Sequence, residues 1–281
     1  MKNKLLKYLN YKLKKINKHS EIEELKEELL EDLIEYNQDN ENSDYDDCIN
    51  VLGSLNNLVG EYEQKYRKLD KRIFLPKYKL GEELINAISH GVGALLSIAA
   101  LILCVIKSND GISLFSSLFY CISSIILYLM SCLYHSFKPN NAKRIFRIFD
   151  HCSIYLLIAG TYTPLVLLIL PPKLAWTIFG VVWGLAILGI ILNAIDLKKF
   201  KIVSMILYLG MGWCILFSFK TLWNSMNHIG ILLILLGGII YTLGAVIYGI
   251  GKKKRYMHSI FHIFCLIASV LFFMAIYIYA L

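Results

Sequence analysis

"KKKRYMHSIFHIFCL", residues 252–266, sets four consecutive cations directly before two histidines and an unbroken apolar run. His258 and His262 stand four residues apart, so a helix carries them on one face. The apolar run continues through residue 280, long enough for the ~20 residues that a helix needs to cross a bilayer. A membrane helix that opens on cations and carries two histidines at its mouth raises the question of what meets them there.

Six further apolar stretches precede it: 84–106, 112–136, 151–170, 174–195, 202–219 and 229–250, with 258–280 as the seventh. The chain of 281 residues is 57% hydrophobic, and it reads as an all-α polytopic membrane protein, a seven-transmembrane helix bundle. Loops 137–150, 196–201 and 251–257 carry four, three and four Lys/Arg, whereas 107–111, 171–173 and 220–228 carry one each. By the positive-inside rule the N-terminus lies in the cytoplasm and the C-terminus outside.

Charge divides the chain into residues 1–79 and residues 80–281. The first part holds 15 Lys/Arg and 16 Asp/Glu, the second 14 and 5. The formal charge of +8 thus belongs to the membrane part, where it reports topology and not nucleic-acid binding. Residues 1–79 read as a cytoplasmic helical region. A basic amphipathic stretch with Leu5, Leu9, Leu13 and Ile16 comes first, and it lacks the apolar core of a secretory signal. An acidic helix follows, with Ser20 and Glu23 as its capping box, and a second runs from Val51 to Tyr62. Such a region is compatible with binding a cytoplasmic protein partner and equally with a solvated helical spacer. The seven cysteines form no CxxC pair, which argues against both a disulfide framework and a cysteine zinc site.

The topology sorts the unusual polar residues to one level. Glu83, Asn86 and His90 open the first span, Ser131 and His135 end the second, and Asp150 and His151 begin the third. All lie at the cytoplasmic end, as do His258 and His262, whereas His228 falls in an outer loop and His19 in the polar region. Adjacent Asp150 and His151 point ~100° apart, and the cost of a carboxylate facing lipid favours Asp150 inward. Two histidines one turn apart, completed by a third from another helix, suit a metal ion with a fourth position open, and Zn2+ is the default for imidazole. The stretch lacks the glutamate of HExxH metalloproteases, so a base has to come from another helix, and Asp150 is the candidate. Taken singly, each histidine reads as an amphipathic residue at headgroup depth; three of them with an aspartate and a serine at one depth do not.

At these residues the sequence resembles a known family. "EELINAISHGVGALL" (82–96), "SCLYHSF" (131–137), "FDHCSIYLLIAGTYTP" (149–164) and "HSIFHIF" (258–264) are similar to the motifs of the hemolysin III family of bacterial membrane proteins. That family stands with the progestin and adipoQ receptors and, more distantly, resembles alkaline ceramidases. The resemblance covers residues 80–281. It implies zinc near the cytoplasmic face, with His135, His258 and His262 as ligands. It further implies Asp150 at the water beside the zinc, Ser131 supporting the site, and Glu83, Asn86 and His90 as outer partners of the ligands.

Three functions are compatible with this reading. The first is a zinc-dependent hydrolase of lipid amides or esters in a bacterial cell membrane, with a membrane lipid as substrate. The second is the pore-forming, cytolytic channel that the family name describes, although no ring of charge runs through the seven segments. The third is a lipid-homeostasis sensor with structural zinc. Thr161, Tyr162 and Pro164 are expected to kink the third span. Gly180, Gly184, Gly237, Gly238 and Gly244 are expected where helices approach closely. His151 is expected to face away from the site.

Overall fold

The computed structural model describes residues 75, 78–250 and 254–281, and the helices expected before residue 75 lie outside the described residues. Of the two compact units in the chain, the one formed by Pro76–Lys138 and Ala142–Leu281 carries the site. Among the described residues every regular element is helical. The elements are α1 (Leu80–Lys107), α2 (Gly111–Ser136), α3 (Asn141–Leu167), α4 (Pro172–Asp196), α5 (Lys201–Trp213), a 3-10 turn (Cys214–Ser218), α6 (Phe219–Ser225), α7 (His228–Ile250) and α8 (Met257–Tyr279). With α5, the turn and α6 forming one broken span, these make the expected seven segments.

Six of the spans are long and apolar enough to cross a bilayer on length and composition alone. The exception is the third, α3, whose first turns contain Lys143, Arg144 and Arg147 and whose apolar part contains Pro164. Its lower hydropathy follows from its place in the bundle. No residue from Asp150 to Leu170 is exposed, whereas α4 exposes Val181, Ile187, Leu188, Ile191 and Ile195. A helix that faces other helices is free to carry polar groups, and one that faces lipid is not. The main core gathers about this helix through Tyr155, Ala159, Tyr162, Leu165 and Val166. At the other extreme, Ile88 of α1 is 63% exposed and Ile106 76%, the pattern of a face whose solvent is hydrocarbon.

The helix runs on through Pro164 to Leu167, with the hydroxyls of Thr161 and Thr163 donating to the carbonyls of Leu157 (2.7 Å) and Ala159 (2.9 Å). The break in the fifth span is satisfied from the same helix. The Tyr162 hydroxyl donates to the Gly212 carbonyl and accepts from the Ile215 N–H, both at 2.9 Å. Backbone polar groups at membrane depth require such partners. Tyr162→Phe leaves both groups unpaired, and we expect a loss of about 1–3 kcal/mol, read as a lower melting temperature.

Close approach is required at Gly160, where a methyl group would meet the Phe119 carbonyl oxygen at 2.9 Å, and at Gly237, where it would meet the Phe272 ring at 2.8 Å. Gly180 and Gly184, expected in the same role, border open space: α4 turns that face away from the other helices. The helix starts are set by ordinary chemistry. Asp110 caps α2 by accepting from the N–H groups of Ile112 and Ser113, both at 2.8 Å. The Ser113 N–H holds the Asp110 carboxyl below the usual carboxylate range.

Candidate metal centre

Two helices deliver the three histidines to one point. His135 closes α2, and His258 and His262 lie one turn apart at the start of α8. His258 Nε2 lies 3.2 Å from His135 Nε2 and 3.0 Å from His262 Nε2. Together the three rings offer ligand atoms that all lie within 4.8 Å of one another. A ring nitrogen has a single in-plane site, so His258 Nε2 cannot serve both neighbours by hydrogen bonding. Three lone pairs aimed at one point are instead what a cation reconciles. Nitrogens each ~2.0–2.1 Å from a tetrahedral ion stand ~3.3 Å apart, close to the two separations found here. The donor set therefore fits a metal ion.

The other nitrogen of His135 is held. Nδ1 lies 2.6 Å from Glu83 Oε2, and Lys143 Nζ lies 2.6 Å from Glu83 Oε1. A carboxylate at Nδ1 places the N–H there and leaves the lone pair on Nε2, the usual outer support of a ligating histidine. The Asn86 amide is 3.4 Å from the same Nδ1, at the edge of hydrogen-bond range.

His90 contributes differently. Its ring stacks on His262 with centroids 3.7 Å apart and meets Tyr128 edge-on at 5.0 Å, and both its nitrogens are buried without a partner. It lies outside the group of three rings that could hold a metal ion.

A cavity of about 190 Å³ runs from this cluster into the bundle. Ser131, Asp150, His151, His258 and His262 line one end, and its walls are largely apolar, with Leu127, Leu165, Met205, Ile234 and Phe272 among them. Asp150 is buried on α3, and the fully buried Ser131 hydroxyl has no partner. His151, expected to face away, lines the cavity beside Asp150. The void is bounded by both residues, and the Tyr208 hydroxyl, which also lines it, donates to the His151 carbonyl at 2.8 Å. His228 lies apart, stacked on Trp223 at the start of α7.

Several contributors carry no linear signal. Tyr78 stacks on His258 with centroids 5.1 Å apart and rings 13° from parallel, and burial raises its phenol far above its ordinary value. Glu82 accepts from the N–H of Lys79 (2.9 Å) and from that of Tyr256 (2.8 Å). Tyr256 has φ 61°, a left-handed conformation that costs a non-glycine residue roughly 1–2 kcal/mol. The Glu82 contact fixes that turn immediately before His258. Lys143, buried and bonded to Glu83, could have been noticed only as a cation on the same level as the histidines.

The chain matches a family model described as "Haemolysin-III related" over residues 78–273. It is 40% identical over 203 residues to Hemolysin-3 of Bacillus cereus, covering 71% of this chain and 92% of that protein. It is equally 40% identical over 205 residues to the Hemolysin-3 homolog of Bacillus subtilis (strain 168), with 72% and 96% covered. A more distant relative is the Monocyte to macrophage differentiation factor of Homo sapiens, 30% identical over 159 residues, with 54% and 65% covered. All four site motifs fall inside the matched span, and the chain belongs to the haemolysin-III-related family of membrane proteins.

Proposed function

We propose that this protein is a zinc-dependent hydrolase of lipid amides or esters in a bacterial cell membrane. The observation that carries the reading is the convergence of three imidazole nitrogens at the polar end of an otherwise apolar cavity. His135, His258 and His262 would hold the ion. When bound, zinc would supply a Lewis acid that polarises a carbonyl and brings the pKa of a water to ~7. Asp150 takes the proton of the attacking water and returns it to the leaving amine or alcohol as the C–N or C–O bond breaks. The Ser131 hydroxyl, free of other partners, donates to the oxyanion as it develops. The apolar walls hold an acyl chain and exclude bulk water.

The names of the bacterial relatives point instead to lysis. A cavity that is polar at one end and apolar along its walls suits a bound lipid better than an ion path. The cationic loops support a cytoplasmic position for the polar end, and residues 1–79 are the region proposed to meet a protein partner there.

The test uses the full chain purified in detergent. We expect one zinc per chain, and release of fatty acid from mixed micelles of ceramide, acyl esters and phosphatidylcholine. Chelation should abolish the release and added zinc restore it. Stoichiometric zinc with no release from any of these lipids would overturn the hydrolase. Dye leakage from liposomes that survives removal of all three histidines would establish the pore.

A further inference from the structure

We propose that Lys143 is a positioning residue of the metal centre, acting through Glu83 on His135. The proposal rests on the reading of the three histidines as metal ligands. Lys143 opens α3 and is among the largest side chains buried in the molecule, at 2% exposure. An ammonium at that depth is retained only against partners that compensate its desolvation. Its Nζ donates to Glu83 Oε1 at 2.6 Å and to the Phe137 carbonyl at 2.9 Å, and it sits 5.1 Å from the centre of the Tyr134 ring. Those three contacts join the first turn of α3 to the first turn of α1 and to the C-terminal cap of α2. All three elements meet around His135, whose own ring lies 4.4 Å from that of Tyr134.

The geometry is that of a relay with one free choice removed at each step. Lys143 occupies one carboxylate oxygen of Glu83, and the other oxygen is then directed at His135 Nδ1, 2.6 Å away. That contact sets the ring orientation and leaves Nε2 facing His258 at 3.2 Å. Neither His258 nor His262 has such a support: the Nδ1 atoms of both are buried with no partner. They are ordered instead by sharing one helix turn and by the stacked rings of Tyr78 and His90. His135 is the ligand that comes from a different helix, and its placement therefore depends on the relay.

The experiment is a zinc titration of the full-length, detergent-purified protein, stripped of metal and titrated against a chromophoric chelator. Lys143→Met is expected to weaken zinc binding by about 10–100-fold, the usual loss when an outer partner of a ligating histidine is removed. Lys143→Arg, which keeps the charge, is expected to retain most of the affinity. The decisive readout is the same substitution in a Glu83→Gln background. If Lys143 works through Glu83, it costs no further affinity there; a lysine that merely supports the fold would cost as much in both backgrounds, and that would overturn the proposal. Should Lys143→Met fail to fold, Lys143→Gln carries the test, because it can still donate to the Phe137 carbonyl. Undiminished binding in Lys143→Met or Lys143→Gln beside a zinc-binding wild type would also overturn it. A wild type that takes up no zinc would remove the metal reading itself.

Discussion

In His258→Ala the metal content of the purified protein is expected to fall to background, and the proposed lipid turnover with it. His258 Nε2 is the atom common to both short contacts in the cluster, so its loss separates His135 from His262 as well as removing a ligand. Zinc sites with four ligands bind with about 10–16 kcal/mol, so one ligand is worth roughly 3 kcal/mol, about a hundredfold in affinity. The loss here should exceed that figure, because two imidazoles on different helices remain without the ring that links them. His228→Ala is the control. That histidine stacks on Trp223 at the start of α7, away from the cluster, and its removal should leave one zinc per chain. Metal analysis of both variants after gel filtration decides the matter, and tight stoichiometric zinc in His258→Ala would mean that the ion is held elsewhere.

The parts of this arrangement that were legible in sequence are those written along one helix. Spacing alone places His258 and His262 on one face, and alternating loop charge sets the level of His135 and Asp150. Span boundaries agree within a few residues for the apolar helices, since lipid imposes a continuous run on each of them. The apolar run marks the third span as 151–170, yet its helix begins at Asn141. The first turns, with Lys143 and Arg144, resemble a cationic loop, and only the pairing of Lys143 with a carboxylate from α1 makes their burial tolerable. The break after Trp213 was equally invisible, because what satisfies it is a tyrosine hydroxyl some fifty positions away. Gly180 and Gly184 show the converse, a small-residue pattern with nothing packed against it. The cavity is assembled from six of the helices, and no single stretch of chain records it.

Asp150→Asn separates binding from chemistry. The substitution keeps the volume and the polarity of a buried side chain on α3 and removes only its basicity. Asp150 is absent from the group of ligand atoms that close on one another, so zinc content should remain at one per chain. Turnover should fall by about 10²–10⁴-fold, the usual contribution of a positioned general base, which corresponds to roughly 3–5 kcal/mol of barrier. Ser131→Ala should lose less in this respect, about a hundredfold, since it withdraws one donor to the developing oxyanion and leaves the proton path intact. A protein with structural zinc would show neither loss, because nothing in that case depends on the charge of a group beside the ion. If Asp150→Asn lost its zinc as completely as His258→Ala, Asp150 would be a fourth ligand and the position at which water is to be activated would be closed.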